Sequence, residues 1–588
     1  MSRLGTFLKK TAIALAVAAL FGGYALLNWT APPLANSPDE MANRFFAETY
    51  AVESRLYAFT SLNYFADGRI HPRSIRVVDD VLVPVGFVGL PLIYGLLAKV
   101  AGLAALPYFT AFAAVMAVLV WGQLVGHWFG ARVGRFAAII LAVCPVWWYW
   151  ASRAFMPNIF FLASAIIAAW FFFTTPVRRV SARLGWNRLD QIGFADAAFG
   201  GTFLALALGV RMAEAYWIGG VILLLAAWRW RSTPWIRLAV FLATAAVAVL
   251  PFLATNQSLY GSWFATGYAA ADGSVPLMGL PEGGGARLLG PLRPFLFPLG
   301  FAPRTALSRF LTVAILPFWW WWLAIIVSYG VAKMRSDEAV RPRSGLLHSF
   351  TSSLLHFFSR LTKRPAGAAG PRNVDRTYAV AAAAISLWLI FFYGSWNVQD
   401  NPAPGLITIG SSYYRYWLPI FVLATVPLAG ALARWWDSRS RWLRPAGAGL
   451  MVLLAIAGPW QAWAAPQEGL AALRQNLKRS AGVMERLLIL VPSGSIVVAD
   501  RADKWIFPQR LVITPLRDEG TFAALANLKR KRPLFYYGIT LPSADLDFLR
   551  RVRLAPLGLG AEPLETFGEE TLYALPLSGS SGNEIEKK

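Results

Sequence analysis

The sequence predicts an all-α, polytopic membrane protein of about 11 transmembrane helices, followed by a small C-terminal α/β domain on the extracytoplasmic side. Of its 588 residues, 57% are hydrophobic and only 15% are charged, and the mean hydropathy is +0.49. Water-soluble proteins carry about 25% charged residues, so a purely soluble class is excluded. The apolar residues stand in runs long enough for a helix to cross the ~30 Å hydrocarbon core of a bilayer.

Eleven segments have the length and apolar composition of transmembrane helices. They are 11–30, 107–126, 136–151, 157–175, 195–211, 215–230, 236–255, 310–330, 377–394, 413–433 and 446–465.

The basic residues set the orientation of these spans. Among the first 465 residues, 25 of the 38 lysines and arginines fall in the N-terminal segment and in five loops, which together hold five acidic residues. These loops are 127–135, 176–194, 228–237, 331–376 and 434–444. The positive-inside rule makes them cytoplasmic. The net charge of +24 is therefore a topology signal, and no nucleic-acid partner is expected. We expect a multi-pass protein of the cell inner (plasma) membrane with a cytoplasmic N-terminus.

The same rule decides the ambiguous apolar segment 81–100. A span there would turn every later loop to the other side and expose the basic loop 331–376 outward. We therefore predict that 81–100, which contains Pro84, Pro91 and several glycines, is an interfacial or re-entrant helix on the outer side.

Two domains are predicted. Residues 1–465 form the transmembrane domain, with a first outer loop at 31–106, a second large outer loop at 256–309 and the cytoplasmic basic loop at 331–376. Residues 466–588, with 17 basic and 14 acidic residues, have a soluble composition and alternate strand-like runs with helical ones, which favours a small extracytoplasmic α/β domain. Asp500 and Asp503, in VADRADKW, are interpreted as turn residues.

The charged residues avoid the middle of every predicted span. Ion-coupled transporters and proton pumps usually need such residues at mid-membrane. Here they gather at the outer ends of helices, at Asp39, Glu40, Asp79, Asp80, Arg153, Arg211, Glu214 and Arg415. This pattern indicates chemistry at the outer interface, on a substrate with a lipid part in the bilayer and a polar part in water.

The motif NSPDE, from Asn36 to Glu40, allows two interpretations. Ser37, Pro38 and the two acids form a helix start, with a serine N-cap, proline at the first position and acidic residues in the first turn. Adjacent carboxylates beside the outer interface also suit a general base that deprotonates a hydroxyl acceptor.

A series of motifs then resembles the GT-C membrane glycosyltransferases, which take sugar from a polyprenyl-phosphate donor and include protein mannosyltransferases and the aminoarabinose transferases of lipid A. The motifs are the acidic pair Asp39-Glu40 after the first span, juxtamembrane helices at 40–60 and 81–100, SRAFMPN (152–158), NQSLYGSWFATGY (256–268) and SSYYRYWLP (411–419). The third motif departs from the family pattern, in which an aspartate is common near the position of Asn158. The motifs cover the whole chain and occur in the family's order.

The resemblance implies an inverting transfer with Asp39 as general base and Glu40 orienting the acceptor or binding a cation. A cation near the outer interface would stabilise the leaving lipid phosphate, and Arg415 with Tyr416 is the first choice. Arg211 and Arg153 come next, and for every arginine the alternative is a side chain that reaches lipid phosphates.

The remaining candidates are substrate-binding residues: Asp79, Asp80, Asn256, Tyr268 and Glu214. Glu214 is alternatively the ion-pair partner of Arg211, one turn away. Asp79 and Asp80 either cap the helix predicted at 81–100 or hold the acceptor or a metal.

No cofactor is certain, although a carboxylate pair beside a phosphate suits Mg²⁺ or Mn²⁺, which Asp39 and Glu40 would bind. The expected partners are a polyprenyl-phosphate-linked sugar donor, a glycan, lipid or protein acceptor, and membrane lipids. The alternatives are a lipid-linked sugar flippase or another transporter, or a non-catalytic assembly protein. The sequence identifies neither the sugar nor the acceptor.

Overall fold

The structure is a computed structural model, and it describes residues 3–183, 193–268, 300–338, 374–398 and 406–578. Most of the two long loops predicted at 256–309 and 331–376 lies outside the described residues.

Helices of 7 to 28 residues dominate the N-terminal four-fifths of the described chain. They are α1 (Arg3–Thr30), α2 (Pro38–Glu53), α3 (Gly89–Ala101), α4 (Phe109–Phe129), α5 (Ala131–Ala142), α6 (Pro145–Ser152), α7 (Pro157–Thr174), α8 (Pro176–Arg183), α9 (Phe194–Val210), α10 (Ala215–Trp228), α11 (Trp235–Tyr260), α12 (Pro303–Arg309), α13 (Trp319–Glu338), α14 (Val374–Gly394), α15 (Ser412–Asp437) and α16 (Leu443–Ala464).

Every one of the eleven predicted spans coincides with helix. In the described chain, eight helices are individually long and apolar enough to cross a membrane, and two bent pairs bring the number to ten. The bent pairs are α5 with α6, at 58°, and α9 with the helical segment Met212–Trp228, at 119°. The chain is thus a multi-pass membrane protein, as predicted, with two of its apolar segments sharply bent.

Helix α15 forms the centre of the transmembrane part. Most of its length is buried, where it packs against α5, α13, α14 and α16. The outer helices α1, α11 and α16 bury only 17% of the residues in their apolar windows, as expected for surfaces that face lipid.

The first outer loop combines a helix with a small sheet. Helix α2 starts as the NSPDE motif predicts: Ser37 and Glu40 form a capping box, and Pro38 stands at the first helical position. Strands β1 (Ala58–Phe59), β2 (Ile75–Val78) and β3 (Val81–Pro84) form an antiparallel sheet in the order β1-β3-β2. The prediction of one helix over 81–100 was wrong at its start, since Val81–Pro84 pairs as a strand and the helix begins only at Gly89.

The C-terminal part is an α/β unit, as predicted. After α17 (Leu470–Leu490) come β4 (Ile496–Ala499), α18 (Asp503–Ile506), β5 (Leu511–Ile513), α19 (Glu519–Leu528), β6 (Leu534–Ile539), α20 (Ser543–Phe548), β7 (Glu562–Phe567) and β8 (Glu570–Ala574). The sheet order is β5-β4-β6-β8-β7, with β5, β4 and β6 parallel and the other neighbours antiparallel. Its buried valines and isoleucines pack against the helices on its two faces, as is usual for parallel strands.

Candidate active site

A cavity lies between α2, the first outer loop, the end of α9 and the first turns of α7 and α15. It is lined by Asp39, Ala42, Asn43, Ser74, Pro84, Gly86, Phe87, Pro157, Val210, Arg211, Tyr268, Arg415 and Tyr416. Five of the residues singled out in the sequence therefore line one cavity, although they come from four distant parts of the chain. The other predicted residues, which are Glu40, Arg153, Asp79, Asp80, Asn256 and Glu214, do not line it.

Asp39 lies in the first turn of α2 and is the cavity's carboxylate. Ser74 donates a hydrogen bond from Oγ to Asp39 Oδ1 at 2.7 Å. Arg415 Nη1 lies 3.4 Å from Asp39 Oδ2, and the Asp39 side chain is 36% exposed. Each carboxylate oxygen thus has one partner, yet the group remains accessible from the cavity.

Arg415 lies in the first turn of α15, where the chain enters the membrane region. Its side chain is 14% exposed, and Nη2 donates to the hydroxyl of Tyr416 at 3.2 Å. The 3.4 Å between Arg415 Nη1 and Asp39 Oδ2 is longer than the ~2.7–3.2 Å of a typical N–H···O hydrogen bond. An anion that entered the cavity would therefore compete well with Asp39 for this guanidinium.

Arg211 occupies the break between α9 and α10 and carries a neutralised charge. Its Nη2 lies 2.7 Å from Glu214 Oε1, and both side chains are at least nine-tenths buried. Tyr393 donates to the same oxygen at 2.6 Å, and Trp217 donates to Glu214 Oε2 at 2.5 Å. Glu214 is thus the ion-pair partner of Arg211, as its spacing allowed, and it does not line the cavity.

Tyr416 joins the two arginines. The guanidinium carbons of Arg211 and Arg415 both lie 5.1 Å from its ring centroid. The ring of Tyr393 stacks on it at 4.4 Å with an interplanar angle of 8°. This arrangement holds two cations close together over aromatic faces.

Tyr268 contributes a neutral hydroxyl to the cavity. The side chain is about half exposed, and the ordinary pKa of a tyrosine is about 10. The group is therefore protonated at any physiological pH and can act as a hydrogen-bond donor.

Glu40 and Arg153 form a separate buried pair. Arg153 Nε and Nη2 lie 2.7 and 2.6 Å from Glu40 Oε1, while Glu40 Oε2 accepts the backbone N–H groups of Asn36 and Ser37. All four contacts fix the start of α2. The expectations that Glu40 orients the acceptor and that Arg153 holds phosphate therefore need correction, because the two side chains form a buried ion pair with each other.

Asp79 and Asp80 form the two-residue turn of the β2–β3 hairpin, with φ angles of 48° and 63°. Aspartate tolerates this left-handed conformation better than most residues, which explains its presence here. Their expected role as a helix cap is excluded, since a strand follows. Asn256 is buried and donates to the carbonyl of Trp263 at 3.3 Å, so it shapes the turn after α11.

Among the described residues that line the cavity, Asp39 is the one carboxylate that a divalent cation could bind. No group of three metal-ligating side chains occurs in the described chain, and Glu40 is engaged elsewhere. The proposed Asp39–Glu40 pair does not fit a metal, because only Asp39 faces the cavity.

Sequence reasoning missed Ser74 and Asn43. Ser74 is a loop serine with a φ of 62°, and nothing in its local pattern distinguishes it. Asn43 lies one turn after Asp39 on α2, a spacing that could have revealed it.

No protein-family model matches the sequence, and no curated protein matches it either. Solved structures match over nearly its full length. ArnT from Cupriavidus metallidurans bound to undecaprenyl phosphate superposes with a TM-score of 0.53 at 13% identity, covering 97% of this chain and 98% of that one. The same protein in the apo state gives 0.50 at 14% identity, with the same coverage. The Archaeoglobus fulgidus oligosaccharyltransferase in the apo form gives 0.49 at 15% identity, covering 97% and 75%.

ArnT is a lipid A aminoarabinose transferase of the GT-C fold. The likeness confirms the GT-C fold expected from the motifs, and at this level of identity it shows the fold alone.

Proposed function

We propose that the protein is an integral-membrane glycosyltransferase that moves a sugar from a polyprenyl-phosphate donor to a hydroxyl acceptor on the outer face of the membrane, with inversion. The observation that carries this proposal is the cavity in which the Asp39 carboxylate faces the Arg415 guanidinium at 3.4 Å. A fold shared with a protein that was solved bound to undecaprenyl phosphate supports the donor class.

Arg415 is the proposed phosphate-binding group. A guanidinium binds phosphate through two parallel N–H donors, and Arg415 lies in the first turn of a helix that is long and apolar enough to cross a membrane. Arg211 is less suited because Glu214 neutralises it, so its proposed role is to hold the ring of Tyr416 in place. Tyr268 and Tyr416 offer hydroxyl donors to the same phosphate.

Asp39 is the proposed base. The acceptor oxygen attacks the anomeric carbon from the side opposite the phosphate, its proton passes to Asp39, and the bond from the anomeric carbon to the phosphate oxygen breaks. The electron pair of that bond leaves with the lipid phosphate, whose charge Arg415 stabilises. When Arg415 turns to the phosphate, Asp39 Oδ2 is released and becomes free to accept the proton.

The test is sugar transfer by purified protein in nanodiscs from a panel of radiolabelled undecaprenyl-phosphate sugars. Asp39→Asn should lower kcat by about 10²–10⁴-fold, the usual contribution of a general base, without loss of folded yield. Glu48→Gln makes the same chemical change on the same helix, at a partly exposed residue paired with Arg44, and should leave kcat unchanged.

Full activity in Asp39→Asn would overturn its role as base. The donor is tested separately by binding of undecaprenyl phosphate itself. If the wild-type protein shows no saturable binding, the polyprenyl-phosphate donor is refuted and the transporter alternative returns.

A further inference from the structure

The C-terminal α/β unit packs against the first outer loop. Ile70 forms a β-bridge with Ile513 of the edge strand β5. Ala66 and Ile70 are fully buried with Ile496 and Val498 of the sheet in one apolar cluster. Loop residues 66–70 therefore form part of the core of a unit that lies more than 400 residues later in the chain.

The tightest link is between Asp503 and Arg73. The Asp503 side chain is fully buried, and it accepts hydrogen bonds from the Arg73 backbone N–H at 2.8 Å and from its guanidinium at 2.6 Å and 3.0 Å. Arg73 also donates to the carbonyl of Arg501 at 2.8 Å. The interpretation of Asp503 as a turn residue was wrong, because a buried carboxylate with this many charged contacts fixes the backbone of its partner.

The residue after Arg73 is Ser74, which donates to Asp39 Oδ1 at 2.7 Å. Fixing the backbone at Arg73 therefore fixes the position of the Ser74 hydroxyl. The left-handed φ of Ser74, 62°, is a conformation that a serine keeps only when its surroundings impose it.

The next two residues of the C-terminal unit hold the other side of Asp39. Lys504 Nζ donates to the carbonyl of Asn36 at 2.5 Å, and Trp505 Nε1 donates to the carbonyl of Ala35 at 2.8 Å. These carbonyls directly precede Ser37, the N-cap of the helix that carries Asp39. Three consecutive residues, 503–505, thus hold both segments that position the carboxylate.

We propose that Asp503 is a positioning residue for Asp39: it acts through Arg73 and Ser74 to set the direction of the carboxylate, so the C-terminal unit is part of the catalytic apparatus. The catalytic part of this proposal rests on the proposed function, in which Asp39 is the base. The effect of Asp503 on the local structure around Asp39 does not depend on that function.

The kinetic test is a double-mutant cycle with Asp503→Asn and Ser74→Ala. Each single change should lower kcat by up to about 10²-fold, the effect of a misplacement on the order of 1 Å, with little change in the KM for the donor. The double variant should be no slower than the slower single variant, since both act along one path. Additive losses, or a loss confined to KM, would overturn the path from Asp503 through Ser74.

Arg69→Met is the matched control. It removes the Arg69–Asp518 ion pair, a contact of 2.7 Å that joins the same loop to the same unit four residues before Arg73. If loosening the interface in general were responsible, Arg69→Met would lower kcat as much as Asp503→Asn, and the proposal would fail.

Hydrogen exchange gives a readout that needs no turnover. Asp503→Asn should speed amide exchange in the peptide covering residues 36–46 by about ten-fold, as expected for the loss of a charge-assisted hydrogen bond, while Arg69→Met should not. Unchanged exchange there would overturn the proposal even if transfer were abolished. If Asp503→Asn speeds exchange but the wild-type protein transfers no sugar, the positioning role is retained and the glycosyltransferase function is refuted.

Discussion

Asp39 and Arg415 are 376 residues apart in the sequence, and their side chains meet at 3.4 Å across a single cavity. One residue starts the helix after the first span and the other starts the central helix α15. The contact brings a carboxylate and a guanidinium from distant parts of the chain into one cavity, and these are the proposed base and the proposed phosphate-binding group.

Arg415 should dominate the affinity for the lipid phosphate. We expect Arg415→Ala to weaken binding of undecaprenyl phosphate by about 10–100-fold, the value of a charge-assisted hydrogen bond of ~1.5–3 kcal/mol. Arg415→Lys should recover only part of it, because an ammonium lacks the planar pair of donors. Intrinsic tryptophan fluorescence in detergent would measure the dissociation constant.

The control for that measurement is Arg444→Ala, which removes a guanidinium bonded to the carbonyl of Trp436, at the opposite end of α15 from Arg415. If Arg415→Ala binds as tightly as the wild type while Arg211→Ala does not, the phosphate lies at Arg211.

Glu40 should matter for stability. It pairs with Arg153, both side chains are more than nine-tenths buried, and it also caps α2. Breaking a buried pair leaves an uncompensated charge and costs about 3–5 kcal/mol, so Glu40→Ala should lower the thermal midpoint and the folded yield strongly.

Glu48→Ala serves as the comparison, since its pair with Arg44 is about one-third exposed on both sides and such pairs contribute about 0–1 kcal/mol. An unaltered midpoint in Glu40→Ala, together with lost transfer activity, would return Glu40 to a direct catalytic role.

The sequence predicted the helices well because an apolar run of sufficient length has few alternatives in a membrane. Asp39, Arg211 and Arg415 were singled out because charged residues at helix ends are conspicuous, whereas Tyr268 and Tyr416 were singled out through motifs that resemble those of the GT-C family. The pairing of Glu40 with Arg153 was not predictable, since it depends on how the start of α2 meets the turn after α6. Ser74 and Asp503 were missed for the same reason, because their partners lie 35 and 430 residues away.

Gly267 should be required for the placement of Tyr268. A Cβ at this position would lie 2.2 Å from the carbonyl oxygen of Pro84 and 2.5 Å from Cα of Val85, which are backbone atoms. Gly267→Ala must therefore push the segment away from the cavity, at a cost of about 1–3 kcal/mol, and should weaken undecaprenyl phosphate binding by about ten-fold.

Gly449→Ala provides the matching control, because a Cβ there meets nothing within 4 Å and alanine favours a helix. Unchanged binding in Gly267→Ala would indicate that Tyr268 takes no part in holding the lipid phosphate.

Lys504 should give the protein a stability that rises at alkaline pH. Burial lowers the pKa of its ammonium from 10.5 to about 8, and the neighbouring Arg73 adds to the shift. Between these two values the unfolded chain holds more protons than the folded one, so the free energy of unfolding increases with pH across that window. The penalty for burying the charge is fully present below pH 8 and is gone above pH 10.5. In Lys504→Met this penalty is absent at every pH. Between these limits the free energy of unfolding of the wild type should therefore increase by about 3 kcal/mol relative to that of the variant.

Thermal unfolding of both proteins from pH 7 to pH 10.5 measures the difference, with Lys478→Met, a change at an exposed lysine, as the control. Parallel curves for wild type and Lys504→Met would mean that the ammonium beside the Asn36 carbonyl is hydrated rather than buried against the first outer loop.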